Sequence, residues 1–355
     1  MSAFPYEPSP SSRLRKSIVI ALSALLGATL LAGCLAEAET VVADEDTGNR
    51  SIRIAFPFTS TMNSAILYGE GTGIFDDHNI DIEFIEIEGA RGLAATVGGS
   101  VDMAITAAVN PVAALAQGEE FPIVAQIGTG PPQSVFVGTD VWEESGFDAD
   151  TPWREKLEFL AGRPWGVSSP EGGSAYMARY LFHLAGLEED DLNMQSLGGS
   201  SGVLAGLQNG DVHAASLGAP HPFVAEAEGW GKVFISVTGG EVEELTNSLS
   251  SSVVVTTSFL ETNRELIDDF REALGEAQRL VYEDAENVDA WMYETYFADS
   301  PEDAVLAGVA EQRQGEAIAR TPEVSAQAAE RLVEFMEATG QEVPENWRDL
   351  FIDLN

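Results

Sequence analysis

From Ser51 onward, short runs of β-branched and aromatic residues alternate with stretches whose apolar positions recur every three or four residues, which predicts strands joined by helices. Residues 52–56, 82–87, 101–105 and 123–127 are each bounded by Gly, Pro or polar turn residues and read as the strands of one sheet. Between them, residues 64–75, 91–97 and 111–117 can each present an apolar stripe to that sheet. A second set follows at 165–168, 193–197, 212–217 and 233–237, with residues 174–187 as its clearest helix. In that helix Tyr176, Met177, Tyr180, Leu181 and Leu184 share one face, as core residues do, and His183 falls off it. Strict alternation of strand and helix implies parallel sheets with crossover helices, the α/β class.

The two sets repeat one another. Gly99-Ser100-Val101-Asp102-Met103-Ala104 precedes Asn110-Pro111, and Gly210-Asp211-Val212-His213-Ala214-Ala215 precedes His221-Pro222, both at an offset of 111 residues. Two similar halves are expected. Residues 252–257 read as the return crossing to the first half, and the remainder as helices that buttress it. Leu266, Ile267, Phe270, Leu274 and Leu280 mark one such helix, while Ser300-Pro301 and Thr321-Pro322 look like the cap and first-turn proline of two more.

The first 50 residues follow other rules. Arg13, Arg15 and Lys16 precede an uncharged apolar run at 17–36, the pattern of an export signal or a membrane span. Small residues before a cysteine, Leu31-Ala32-Gly33-Cys34, favour a lipoprotein signal over an uncleaved span, with residues 1–33 removed and Cys34 carrying the lipid. Residues 34–50 then read as a flexible acidic tether to an extracytoplasmic, membrane-anchored body. Cys34 is the one cysteine of the chain, so disulfides and thiolate metal sites are not expected. The 58 acidic residues outnumber the 18 basic ones and the net charge is −40, which argues against nucleic acid as a partner. The acids are dispersed along the chain, as on a surface adapted for solubility.

Tyr68 to Phe75 (YGEGTGIF) followed by Ile80-Asp81-Ile82-Glu83 resembles the opening of the alkanesulfonate, nitrate, taurine and thiamine-precursor binding proteins of ABC importers. Residues 98–108 are similar to that family's Gly-x-x-Asp-x-Ala element, residues 160–167 to the segment that opens its second lobe, and residues 253–270 to its return strand and helix. His213 stands where the family usually has an acid, and residues 69–72 are Gly-rich where it has a charge. The resemblance implies a two-lobed type II periplasmic-binding-protein fold with a central cleft. Lobe 1 would comprise residues 51–138 and 253–355, and lobe 2 residues 139–252, hinged at strands near 134–138 and 253–257. It also implies a small-molecule ligand, an ABC permease as membrane partner, a monomer, and neither cofactor nor catalysis.

In open α/β sheets ligands lie beyond the carboxyl ends of the strands, at helix N-termini. That rule selects Thr59, Ser60, Thr61, Asn63, Arg91, Thr106, Ala107 and Asn110 in the first half. In the second it selects Ser169, Gly172, Gly173, Ser174, Gly199, Ser200 and His221. Arg91 is the permanent cation of the set and suits a sulfonate, nitrate or carboxylate, unless it serves a surface ion pair. Glu88 and Glu171 would instead suit an amine or a pyrimidine, and Phe56, Phe58, Trp165 and Tyr176 stand near enough to stack on a planar ligand or to serve the core. Arg163 falls at the opposite end of its strand and is excluded. Two rival classes remain open: a sensory module with the same lobes and a different membrane partner, and a cleft enzyme. His78, His183, His213 and His221 show no metal-ligand spacing, and His221 has no visible nucleophile to serve.

Overall fold

Among the described residues, ten strands form two five-stranded sheets. The computed structural model describes residues 40–57, 59–87, 90–148, 150–170 and 172–354, so the expected signal at 1–33, Cys34, Phe58, Glu88 and Glu171 lie outside the described residues. In the first sheet the order is β2 (Ile80–Glu86), β1 (Arg50–Phe56), β3 (Met103–Ala107), β10 (Ser251–Val254) and β4 (Ile123–Gly128). In the second it is β7 (Asn193–Ser196), β6 (Pro164–Val167), β8 (Ala214–Leu217), β5 (Ser134–Gly138) and β9 (Gly231–Ile235). Helices α1 (Ser64–Thr72), α2 (Ile74–Asp77), α3 (Ala90–Val97) and α4 (Val109–Ala116) serve the first sheet. Helices α5 (Thr139–Ser145), α6 (Trp153–Leu160), α7 (Gly173–Ala185), α8 (Ser200–Asn209) and α9 (His221–Ala227) serve the second. After β10 come α10 (Thr257–Thr262), α11 (Arg264–Glu283), α12 (Ala285–Met292), α13 (Glu302–Gln314) and α14 (Ala326–Ala338).

The strands pair as their apolar runs dictate. β1 lies parallel to β3 through Ile54 opposite Met103, and β6 lies parallel to β8 through Trp165 opposite Ala214. Each of these four positions is offset by 111, so the sequence repeat is a repeat of register. Each sheet is covered on both faces. Ile54, Phe75, Ile105 and Phe270 lie in one core of the first half, and Ala104, Val112 and Leu332 in another on the opposite face. Trp165, Leu181 and Phe234 fill one core of the second half, and Phe136, Val203 and Leu217 the other. Buried aliphatic and aromatic side chains of this kind contribute about 1.5–3 kcal/mol each.

Helix boundaries have local causes. α1 stops at Gly73, whose φ of +86° is the left-handed conformation that closes a helix without a Cβ clash. α14 starts at Ser325, whose Oγ accepts the Ala328 N–H at 3.1 Å. The spacing of Leu266, Ile267, Phe270, Leu274, Ala277 and Val281 lays one face of α11 on the first half, as the sequence implies.

Four expectations need correction. Ser134–Gly138 sits between β8 and β9 in the second sheet and not at the end of the first half, because its antiparallel register completes that sheet. Thr321-Pro322 does not open a helix: the Thr321 and Pro322 carbonyls accept from the side chain and backbone N–H of Gln126 in β4, which holds the segment as a bend against that strand. The expected tether is fastened from Val41 onward, where the Val41 N–H meets Asn263 Oδ1 at 2.8 Å, the Asp44 carboxylate caps a turn, and Arg50 pairs with Asp269. The last helices do not serve the first half alone, since Phe335 of α14 meets Tyr180 of α7 edge to face and α13 packs on α9. No helix among the described residues is long and apolar enough to cross a membrane.

Candidate functional site

Two chain crossings fix where the halves face one another. β4 ends at Gly128 and β5 begins at Ser134, opposite Leu217, the last residue of β8. β9 ends at Ile235 and, after residues 236–250, β10 begins at Ser251, opposite Ala107 and Gly128. Each crossing therefore runs from the carboxyl rim of one sheet to the carboxyl rim of the other. The crossings also bind each other, the Ser250 N–H donating to Gly128 O and the Ser248 N–H to Thr129 O. The loops that precede α3, α4, α7, α8 and α9 lie on these rims.

The first rim combines exposed and buried polar groups. Thr59 is exposed, and Ser60 caps the turn Thr61–Asn63 by accepting the Met62 N–H at 3.2 Å. Thr61 and Asn63 are buried beneath it. Arg91 is exposed in the first turn of α3. Ala107 is exposed at the end of β3, while buried Thr106 accepts from Asn110 Nδ2 at 2.7 Å, which orients that amide at the start of α4.

The second rim is glycine- and serine-rich. Ser169 and Gly173 are exposed, and Gly172 is the residue before α7. Ser174 is buried and accepts the Ser168 N–H at 3.2 Å, so its hydroxyl shapes the loop. Gly199, with φ +119°, leads into α8 at exposed Ser200. His221 opens α9, half-buried, and that burial pushes its imidazole below the ordinary value of 6.5.

Of the aromatic candidates, Trp165 is fully buried and Phe56 packs on Phe84 at 4.8 Å, so both serve the cores. Tyr176 lines a cavity of about 620 Å³ with Arg179, His183, Glu188 and Glu337, along the flank of α7 between it and the end of α14. Arg163 is held by both carboxylate oxygens of Glu144, away from the rims, as expected. Among the described residues no group of three or more His, Cys, Asp or Glu is placed to hold a metal ion.

The helices at the rims share one electrostatic feature. α3, α4, α7, α8 and α9 carry no acidic residue in their first turns. Of the helices away from the rims, some do, with Asp140 in α5, Glu155 in α6, Glu265 in α11, Glu286 in α12, and Glu302 and Asp303 in α13, whereas α10 and α14 do not. In a chain with 58 acids, helix N-termini left without acid keep their partial positive charge uncompensated. Reading the acids by their place in each helix would have revealed this from the sequence. Sequence reasoning also passed over Glu311, a buried carboxyl on α13 beside the crossings. Its place on a helix face with Ala304 and Gly308, seven and three residues before it, was the available signal.

A family model described as the NMT1-like family matches residues 45–292. Among solved structures, the periplasmic aliphatic sulphonate binding protein SsuA of Escherichia coli is 18% identical, with a TM-score of 0.58, covering 74% of this chain and 83% of its own. The alkanesulfonate-binding protein SsuA of Xanthomonas axonopodis pv. citri, bound to MOPS, is 15% identical with a TM-score of 0.62, covering 86% and 98%. The periplasmic nitrate-binding protein NrtA of Synechocystis PCC 6803 is 15% identical with a TM-score of 0.55, covering 74% and 70%. These likenesses establish the periplasmic-binding-protein fold. No curated protein matches the chain.

Proposed function

The chain belongs to the NMT1-like family, and from that premise we propose that it is an extracytoplasmic substrate-binding protein of an ABC importer that captures a small anion by closing its two lobes. The observation that carries the anion is the absence of acid from the first turns of the five rim helices. Converging N–H groups and partial positive charge would bind a sulfonate, nitrate or taurine-like group, and the exposed guanidinium of Arg91 would add a planar fork. Thr59, Ser60, Asn110, Ser169, Ser200 and His221 would supply neutral hydrogen bonds. Closure follows if the ligand bonds to both rims at once, because only the closed arrangement satisfies both sets. Cys34 would carry the lipid that keeps the protein beside its permease.

A thermal-shift screen of the detergent-purified full chain against alkanesulfonates, nitrate, taurine, bicarbonate and pyrimidines tests this reading. A ligand at about 100 times its Kd should add about 2.7 kcal/mol of stability, seen as a raised melting temperature. Arg91→Ala should weaken a sulfonate by roughly tenfold to a hundredfold. Stabilisation by pyrimidines and by none of the anions would sink the anionic assignment.

A further inference from the structure

Helix α13 is tied to the first half at its carboxyl end and to the second along its length. Arg313 pairs with Asp289 of α12, and the segment after α13 lies along β4, Thr129 N–H donating to Ala317 O at 2.8 Å and Ala319 N–H to Ile127 O at 2.9 Å. On its other side a Cβ at Gly308 would stand 2.6 Å from that of Ala219, just before α9. A Cβ at Gly315 would strike the backbone carbonyl of Thr238. Between these two close approaches sits Glu311, buried, accepting hydrogen bonds from Ser236 Oγ at 2.5 Å and from Ser134 Oγ at 3.2 Å. Ser134 Oγ itself accepts the Thr238 N–H at 3.1 Å. Ser134 closes the first crossing, and Ser236 and Thr238 open the second. One carboxyl thus gathers both crossings onto a helix fastened to the other lobe.

We propose that Glu311 is the hinge pin of the molecule, a positioning residue that holds both crossings against α13 and so sets the angle between the lobes. The proposal rests on the two-lobed binding reading only in taking the crossings as the hinge. Glu311 lies beyond residue 292, where the family match ends.

The charges around Glu311 make the pin sensitive to pH. Lys156 of α6 is committed to Glu241 at 2.7 Å, and Lys232 of β9 to Glu226 of α9 at 3.6 Å. Glu241 also takes the Ser236 N–H at 2.8 Å. Burial pushes the Glu311 carboxyl above its ordinary 4.5, Glu226 and Glu241 push the same way, and the two serine hydroxyls pull it back. A carboxyl raised in the folded state binds its proton more tightly folded than unfolded. Its contribution therefore grows as pH falls through the folded value and is complete below 4.5.

The test compares the full-length wild-type chain with Glu311→Gln and Glu311→Ala by backbone hydrogen exchange and thermal unfolding between about pH 5 and pH 8. Glu311→Ala should speed exchange on the order of tenfold in residues 129–138 and 236–250 together, with the amides of β1 and β3 unchanged. Glu311→Gln keeps an acceptor for the serines and should retain that protection. Its melting temperature should pull ahead of wild type as pH rises, because it never carries the buried charge. Wild-type exchange in both crossings of Glu311→Ala, or a wild-type pH course in Glu311→Gln, would overturn the proposal. If Glu311→Ala fails to fold, the pH course of Glu311→Gln decides. A failed ligand screen would count against the cleft and leave these readouts untouched.

Discussion

The two halves share a backbone plan and differ in what holds it. The Asp102 N–H donates to Arg53 O at 2.8 Å in the first half, and the His213 N–H to Pro164 O at 2.8 Å in the second, the same bond at the same offset. Around it, Asp102 also receives the backbone N–H, Nε and Nη2 of Arg53, whereas His213 Nδ1 is buried with no hydrogen-bond partner and Pro164 has no charge to offer. Ladder register survives such divergence because it is set by which residues face the core, not by the polar groups at strand ends.

The largest expected effect tests whether the cores are independent. Ile54 and Trp165 occupy equivalent ladder positions and both are fully buried. Trp165→Ala should cost about 3–5 kcal/mol and Ile54→Ala about 2–5 kcal/mol. Hydrogen exchange should assign each loss to its own sheet: Trp165→Ala should expose β6 and β8 while β1 and β3 stay protected, and Ile54→Ala the reverse. Equal loss across both sheets in either variant would mean that the halves unfold as one unit, joined through α13 and α14.

Next in size is the strand-end chemistry. Asp102→Ala removes three hydrogen bonds to Arg53, one to its backbone, from a carboxylate that is mostly buried beside a more exposed guanidinium, and should cost about 1–3 kcal/mol. His213→Ala gives up no side-chain hydrogen bond from Nδ1 and should stay within about 0.5 kcal/mol. Urea midpoints at constant m-value measure both. Matching losses would mean that His213 has a partner of comparable strength and that the halves are held alike.

What was legible in the sequence follows the same division. β1, β3, β6 and β8 could be read because each is a short apolar run between turn residues, and α7 because its apolar positions repeat at helical spacing. The offset of 111 exposed the repeat without coordinates. Sheet membership of Ser134–Gly138 could not be read, since a buried apolar strand carries no local mark of which neighbours it will join. Thr321-Pro322 misled because a cap-like dipeptide fits a bend as well as a helix start, and Gln126 decided between them. At the rims, loop chemistry selected Ser174 and Thr106 correctly as polar, but their hydroxyls bond within their own loops. Glu311 was missed because its partners lie 177 and 75 residues away.

The smallest effect separates the two rims by pH. Asn110 and His221 are equivalent at the offset of 111, but Asn110 bonds to Thr106 while the residue matching Thr106 is Leu217, which has no hydroxyl. His221 is thus half-buried without that local bond, and burial lowers its imidazole below 6.5. A base lowered in the folded state is fully stabilising above its ordinary value, and stability is lost as pH falls through 6.5 toward the folded value, because the unfolded chain takes up the proton first. His221→Asn should flatten this decline in melting temperature between about pH 7 and pH 5. The sign is opposite to that of Glu311, whose contribution rises as pH falls, so the two variants should bend the pH course in opposite directions. An unchanged slope in His221→Asn would show that the second rim leaves His221 as well solvated folded as unfolded, and that the rims differ in residue type but not in environment.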